Sequence, residues 1–271
     1  MTPAQTSETI TGARALYEAL RASDVTQLFG LDSREALYAE IDRAEMRPIT
    51  VRDERAGAIM ADAYARVSGR PGVSTAIRGP GATNLITGIA EAWASSTPVV
   101  AIVNDVNTAL VGRNPIQEVD HLALFRPVTK WAVRLDRPDR VGELTARAFA
   151  LATSGRPGPA LVSCPDDVLT GRTPGSGPAR PGARRYPSLR IAPDPAAIRE
   201  AVAVLAEAGR VAIVAGGGVL ISGAWDELRE VSDLLGAPVA TLPVLVPTRS
   251  TVSAAHTISL ATRPRPTSPP V

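Results

Sequence analysis

The chain has 271 residues, 45% hydrophobic and 21% charged, the make-up of a globular protein with length for one large or two smaller domains. Its formal net charge is +2, Lys130 is the only lysine, and aromatics are 4%, so a nucleic-acid surface has little charge or stacking to work with. A single cysteine, Cys164, excludes an intrachain disulfide; the opening MTPAQTSETI is no secretory signal, and no apolar run approaches the roughly 20 residues of a membrane span, so a cytoplasmic protein is expected.

Residues before Thr11 read as a loose arm. Apolar Ala13, Leu16 and Leu20 predict a helix over Gly12–Ala22, packed on a sheet. Gln27–Gly30 is a short strand, and Ser33 is placed to cap a helix that buries Ala36, Leu37 and Ile41. Residues 48–51 form a strand leading to Glu54, which opens an amphipathic helix ending at Gly69. A β-branched strand over 73–77, the turn Gly79-Pro80-Gly81, a helix from Ala82 and an apolar strand over 98–103 complete a βαβ unit with parallel strands. Residues 104–119 gather Asn, Asp, Gly and Pro and read as a loop. His121 begins a helical segment. Residues 138–154 form an amphipathic helix, and 158–164 form a strand in which Cys164 is a buried, inert thiol. Residues 171–189, rich in Pro, Gly and Arg, read as a linker. A second βαβ follows: helix 195–208, strand 211–215, Gly216-Gly217-Gly218, helix 222–235 and strand 238–241.

Several residues have two readings. Glu54 in the first turn of a helix complements the helix dipole, worth about 0.3–1 kcal/mol, and position alone favours that role over a catalytic carboxyl. Glycines ahead of a helix can bring backbone amides to a phosphate. Here no Lys-Ser/Thr follows and the spacing is not G-x-G-x-x-G, so neither nucleotide fingerprint is met. His121, without a paired acid or Cys cluster, reads as structural, and Lys130 as solvated or at an interface. Asp166-Asp167 reads as a turn and helix cap, not as a metal site.

The stretch 51–103 carries more than a fold class. Glu54, Ala56-Gly57-Ala58, Met60-Ala61-Asp62-Ala63-Tyr64-Ala65-Arg66, Ser68-Gly69, Gly72-Val73, Gly79-Pro80-Gly81-Ala82-Thr83-Asn84, Gly88-Ile89-Ala90 and Pro98-Val99-Val100-Ala101-Ile102 stand in order. Together they resemble the N-terminal, pyrimidine-binding domain of thiamine diphosphate enzymes of the acetolactate synthase-like family. Gln117-Glu118-Val119-Asp120 and Thr129-Lys130-Trp131 look most like acetolactate synthase. The resemblance implies a doubly wound, mostly parallel α/β sheet followed by a Rossmann-like central domain. It implies that Glu54 is catalytic, bonded to a ring nitrogen of the cofactor's aminopyrimidine, and that Gly30, Gly79, Pro80, Gly81, Asn84 and Gln117 lie at the cofactor. The implied chemistry is decarboxylation and carboligation of pyruvate; other 2-oxo acid decarboxylases or acyltransferases, and a non-catalytic interaction module, are the alternatives. Implied partners are a second copy or a subunit carrying the diphosphate domain with its Mg2+, and some members hold FAD in the central domain. Some positions depart from the family pattern: Asp53 stands where His is frequent, Arg78 where a small residue is, Asn104-Asp105 follows the strand in place of Thr-Gly-Gln, and Ile116 replaces Phe.

The resemblance is read from Thr11 to Thr241. The expected division is a pyrimidine domain over 1–170, a linker over 171–190, an incomplete central domain over 191–241 and an irregular, disordered tail over 242–271, where Pro, Arg, Ser and Thr dominate. The Gly-Asp-Gly…Asn motif that holds Mg2+ and diphosphate in the family is absent from the sequence. A truncated or frame-shifted member, inactive alone, or a separately encoded subunit is therefore expected.

Overall fold

The computed structural model describes residues 9–31, 36–175, 184–241 and 257–259. Contacts divide the chain after Leu189 into two units. In the first, β1 (Thr9–Thr11) and α1 (Gly12–Ala22) lead to β2 (Gln27–Gly30), α2 (Ala36–Glu40) and β3 (Arg47–Thr50). Then come α3 (Glu54–Ser68), β4 (Gly72–Ala76), α4 (Pro80–Ala94), β5 (Val99–Asp105), α5 (His121–Phe125) and β6 (Trp131–Arg134). The unit closes with α6 (Val141–Thr153), β7 (Ala160–Pro165), α7 (Asp166–Thr170) and β8 (Arg172–Pro174).

The expected parallel α/β sheet is present. Six strands run in the order β3-β2-β4-β5-β7-β6, every neighbouring pair parallel. Parallel strands covered on both faces read as continuous apolar runs, and all seven residues of β5 are buried. Its side chains alternate between two cores. Val100 and Ile102 join Leu16, Leu20, Phe149 and Val162 under α1 and α6. Val99, Ala101 and Val103 join Ala58, Leu85, Ile89, Phe125 and Leu161 under α3, α4 and α5.

Three strands escape a reading of local pattern. β6 at the sheet edge has only four residues, all half-buried. β1 and β8 pair antiparallel as a separate two-stranded ribbon, so the first residues of the expected linker are part of the first unit. Tyr186 also docks there. Its hydroxyl donates to the Ala65 carbonyl at 2.8 Å, and burial pushes its pKa up to about 12.

The second unit has α8 (Pro195–Glu207), β9 (Ile213–Ala215), α9 (Gly217–Ser222), α10 (Trp225–Leu235), β10 (Val239–Thr241) and β11 (Thr257–Ser259). The helix expected over 222–235 begins at Trp225, as α10; before it stands a further helix, α9, which takes in Gly217 and Gly218 and ends at Gly223, left-handed at φ 66°. β10 pairs parallel with β9 on one side and β11 on the other. β11 lies in the stretch expected to be an irregular tail; the rest of that tail, like the Ser33 cap, lies outside the described residues. Ile198, Val202 and Leu205 of α8 are exposed.

Candidate functional site

In open α/β sheets, ligands bind beyond the carboxyl ends of the strands, where the strand order reverses. Here the chain moves outward from β2 to β3, then returns to β4 on the other side of β2. The reversal therefore lies between β2, ending at Gly30, and β4, which leads into the Gly79 turn. The segment after β3 brings Glu54 to the same end of the sheet, since Val51 donates its amide to the Gly30 carbonyl at 3.0 Å.

Asp53 caps α3, accepting the Arg55 amide at 2.9 Å. The Arg55 side chain also grips it and holds its carboxyl below the usual carboxylate range. Its charge is thus turned away from the next residue, as alternation in an extended segment dictates. Glu54 faces inward and is 6% exposed. Its Oε2 accepts a hydrogen bond from Asn84 Nδ2 at 3.0 Å. Its Oε1 takes no hydrogen bond among the described residues, and it lies where a Cβ on Gly81 would come within 3.0 Å. One turn further along each helix Gly88 packs on Ala58, where an added Cβ would sit 2.5 Å from the alanine methyl. That close approach of α3 and α4 sets the Glu54–Asn84 contact above it.

Of the sequence-predicted site residues, Glu54, Gly81 and Asn84 are brought together. Thr83 bonds back to the Pro80 carbonyl, the cap residue is Gly79, and Asn84 reaches Glu54. Pro80 is exposed at the start of α4. Gly79 has φ 65°, a conformation suited to glycine, and an added Cβ would meet Gln117 Cβ and its carbonyl at 2.8 Å. Gln117, itself at φ 64°, therefore braces the turn with its backbone, while the residue as a whole is exposed. Gly30 packs edge-on against Thr75 of β4.

The sequence reading missed a buried network beside this turn. His121, 2% exposed, places Nδ1 3.1 Å from Ser163 Oγ, and Ser163 donates to Asp105 Oδ2 at 2.7 Å. Arg134 Nε lies 3.0 Å from the same carboxylate oxygen. The Gly79 amide donates to His121 Nε2 at 3.4 Å. Insertion of β7 between β5 and β6 makes this possible, since Ser163 pairs with Val103 on one side and Arg134 on the other. The residue types invite a serine-nucleophile reading, but the order is wrong for it. Ser163 stands between His121 and Asp105, is fully buried, and gives its proton to the acid rather than to the imidazole. A pocket of about 370 Å³ opens alongside, lined in part by Glu118, Val119, Asp120 and Arg134.

Burial pushes the His121 imidazole below its usual 6.5; Asp105 and Asp120 oppose that shift and Arg134 assists it. The unfolded chain therefore gains a proton near pH 6.5 that the native state does not take up until lower pH. Stability from this group is intact above 6.5 and is lost as pH falls below it. Urea unfolding at pH 7.5 and 5.5 checks this: the wild type is expected to lose more stability between the two than His121→Gln, and equal losses would contradict it.

Other residues resolve into structural roles. Lys130, expected to be solvated or at an interface, donates its ammonium to the Leu151 and Ser154 carbonyls, closing the C-terminus of α6. Burial lowers its pKa. Arg78 pairs with Asp166 at 2.7 Å, and Asn104 holds the other oxygen of that carboxylate at 2.8 Å. No helix among the described residues is long and apolar enough to cross a membrane.

Comparison with known proteins places the chain in a family. Residues 10–124 match the family model described as "Thiamine pyrophosphate enzyme, N-terminal TPP binding domain", and residues 198–260 match "Thiamine pyrophosphate enzyme, central domain". The second match runs past Thr241, where the sequence reading ended the resemblance, and takes in β11. A probable acetolactate synthase large subunit of Methanocaldococcus jannaschii is 40% identical over 235 residues, 85% of this chain and 40% of that protein. The acetolactate synthase of Mycobacterium bovis is 38% identical over 86% of this chain and 38% of its own length. That of Arthrospira platensis is 36% identical over 88% and 42%. The chain thus spans about 40% of the length of these curated relatives. Buried carboxyl, glycine turn and sheet reversal fall within the first matched segment, and the chain belongs to the thiamine pyrophosphate enzyme family, of which it carries the N-terminal domain and part of the central domain.

Proposed function

We propose that this chain contributes the cofactor-activating half of an acetolactate synthase-like site, for decarboxylation and carboligation of 2-oxo acids such as pyruvate, in the cytoplasm. The observation that supports it is the Glu54 carboxyl: buried at a helix N-terminus at the strand-order reversal, one oxygen held by Asn84, the other without a partner among the described residues. That unpaired oxygen, next to the bare α-carbon of Gly81, fits a flat ring carrying a nitrogen acceptor or donor. Bound thiamine diphosphate would supply the nucleophilic carbon and electron sink that 2-oxo acid cleavage needs. Glu54 Oε1 would share a proton with the ring nitrogen, and its burial keeps that proton from water. Asn84 would fix the carboxyl plane.

The turn itself suits the ring rather than the diphosphate. Pro80 has no N–H, and the Gly79 amide is engaged by His121. Two of the donors that a helix N-terminus offers an anion are thus missing or taken. Diphosphate and Mg2+ fall, on this reading, to a domain of a second copy or a partner subunit.

A fusion tests the proposal: residues 1–241 joined to the part of the Methanocaldococcus relative beyond the matched segment. Thiamine diphosphate-dependent release of CO2 from pyruvate is expected. A fusion that folds and assembles but turns over no 2-oxo acid would favour an interaction module and sink the enzymatic reading.

A further inference from the structure

We propose that His121 is a positioning residue for the candidate site: as the Nδ1–H tautomer it accepts the Gly79 amide and fixes the turn that lays Gly81 on the Glu54 carboxyl. This rests on the reading of Glu54 and the turn as the cofactor site, but its test needs no cofactor.

The Asp105 carboxylate, paired with Arg134, only accepts hydrogen bonds, so the Ser163 proton at 2.7 Å goes to it. Ser163 Oγ is then left to accept, and the atom facing it is His121 Nδ1 at 3.1 Å. His121 must therefore carry its proton on Nδ1, which leaves Nε2 with a lone pair, and Gly79 N–H points at it from 3.4 Å. Donation runs one way through four groups: Gly79 to His121 to Ser163 to Asp105. A chain that ends on an ion-paired carboxylate has a fixed direction, and with it the imidazole becomes a fixed acceptor. The turn needs one. Gly79 caps α4 without a side-chain cap bond, at φ 65° and ψ −115°. Gln117 backbone closes it on one side and the His121 ring on another. Two residues on, Gly81 abuts Glu54 Oε1. The charged groups around the ring are Asp105 on β5, Arg134 on β6 and Asp120 beside it on the α5 cap.

The test uses the full chain, labelled with ¹⁵N. Its two histidines are His121 and His256, so a His256→Gln variant assigns the ring signals. At pH 7.5 the His121 ring nitrogens are expected to show the Nδ1–H form, the less common tautomer of free histidine. His121→Leu is expected to speed exchange of the Gly79 amide about tenfold and to shift the Gly81 amide. His121→Gln, whose side-chain carbonyl reaches the Nε2 position, is expected to restore most of the protection, which a mere filling of space would not. An Nε2–H ring, or a Gly79 amide that exchanges equally in wild type and His121→Leu, overturns the proposal. If His121→Leu does not fold, the wild-type tautomer decides alone. Failure of Glu54 to matter for cofactor binding would sink the cofactor reading and leave this result standing.

Discussion

Glu54→Gln in the fused enzyme is expected to lower kcat by about 10²–10⁴-fold, the usual worth of a positioned acid–base group. The substitution keeps size and shape. A glutamine oxygen can still accept from Asn84, as Oε2 does now at 3.0 Å. The side chain's other end would then be an NH2, which donates but cannot share a proton back and forth with a ring nitrogen. The fold should hold, because the Asp53 cap and the Ala58–Gly88 contact are untouched. Steady-state kinetics beside a urea melt separate the two effects. A fall of less than tenfold in kcat, with unchanged stability, would mean Glu54 serves the helix dipole and not the chemistry.

Gly30→Ala is expected to cost about 3 kcal/mol of stability, the upper end of ordinary overpacking. A Cβ there would sit 2.1 Å from Thr75 Oγ1 and 2.3 Å from the Thr75 carbonyl oxygen. The hydroxyl can rotate; the carbonyl cannot. Gly30 and Thr75 are register partners on adjacent strands well inside the sheet, and Thr75 is further tied to the Tyr38 hydroxyl. Relief would have to part β2 from β4 at the point where the strand order reverses, so the site would open with the sheet. Gly209→Ala is the control, since nothing lies within 4 Å of its added Cβ; its change should stay within about 0.5 kcal/mol. Matching urea midpoints for the two variants would contradict the account.

The parallel sheet was legible because its central strands are unbroken β-branched and apolar runs and the helices between them are amphipathic. Gly12–Ala22 and Gln27–Gly30 have the ends that periodicity and glycine suggest. β6 was not legible: four half-buried residues at an edge carry too short an alternation. Within the site, the family pattern picked out Glu54, Gly81 and Asn84, which meet. It gave no hint of Asp105, His121, Ser163 and Arg134. Those four come from separate segments and are gathered only by the placing of β7 between β5 and β6. A histidine judged lone in sequence has its acid through Ser163, 42 residues away. Lys130 was misread for a similar reason: its partners are main-chain carbonyls, which no residue pattern reports.

The most direct measurement is a titration of the ¹⁵N-labelled chain with thiamine diphosphate, following the amides of Gly79, Gly81 and Gly216–Gly218 and the Asn84 side-chain NH2. Shifts that saturate at Gly81 and Asn84 and vanish in Glu54→Gln are expected. Shifts confined to the glycines of the second unit, or shifts at Gly81 and Asn84 that persist unchanged without the Glu54 carboxyl, would contradict the account.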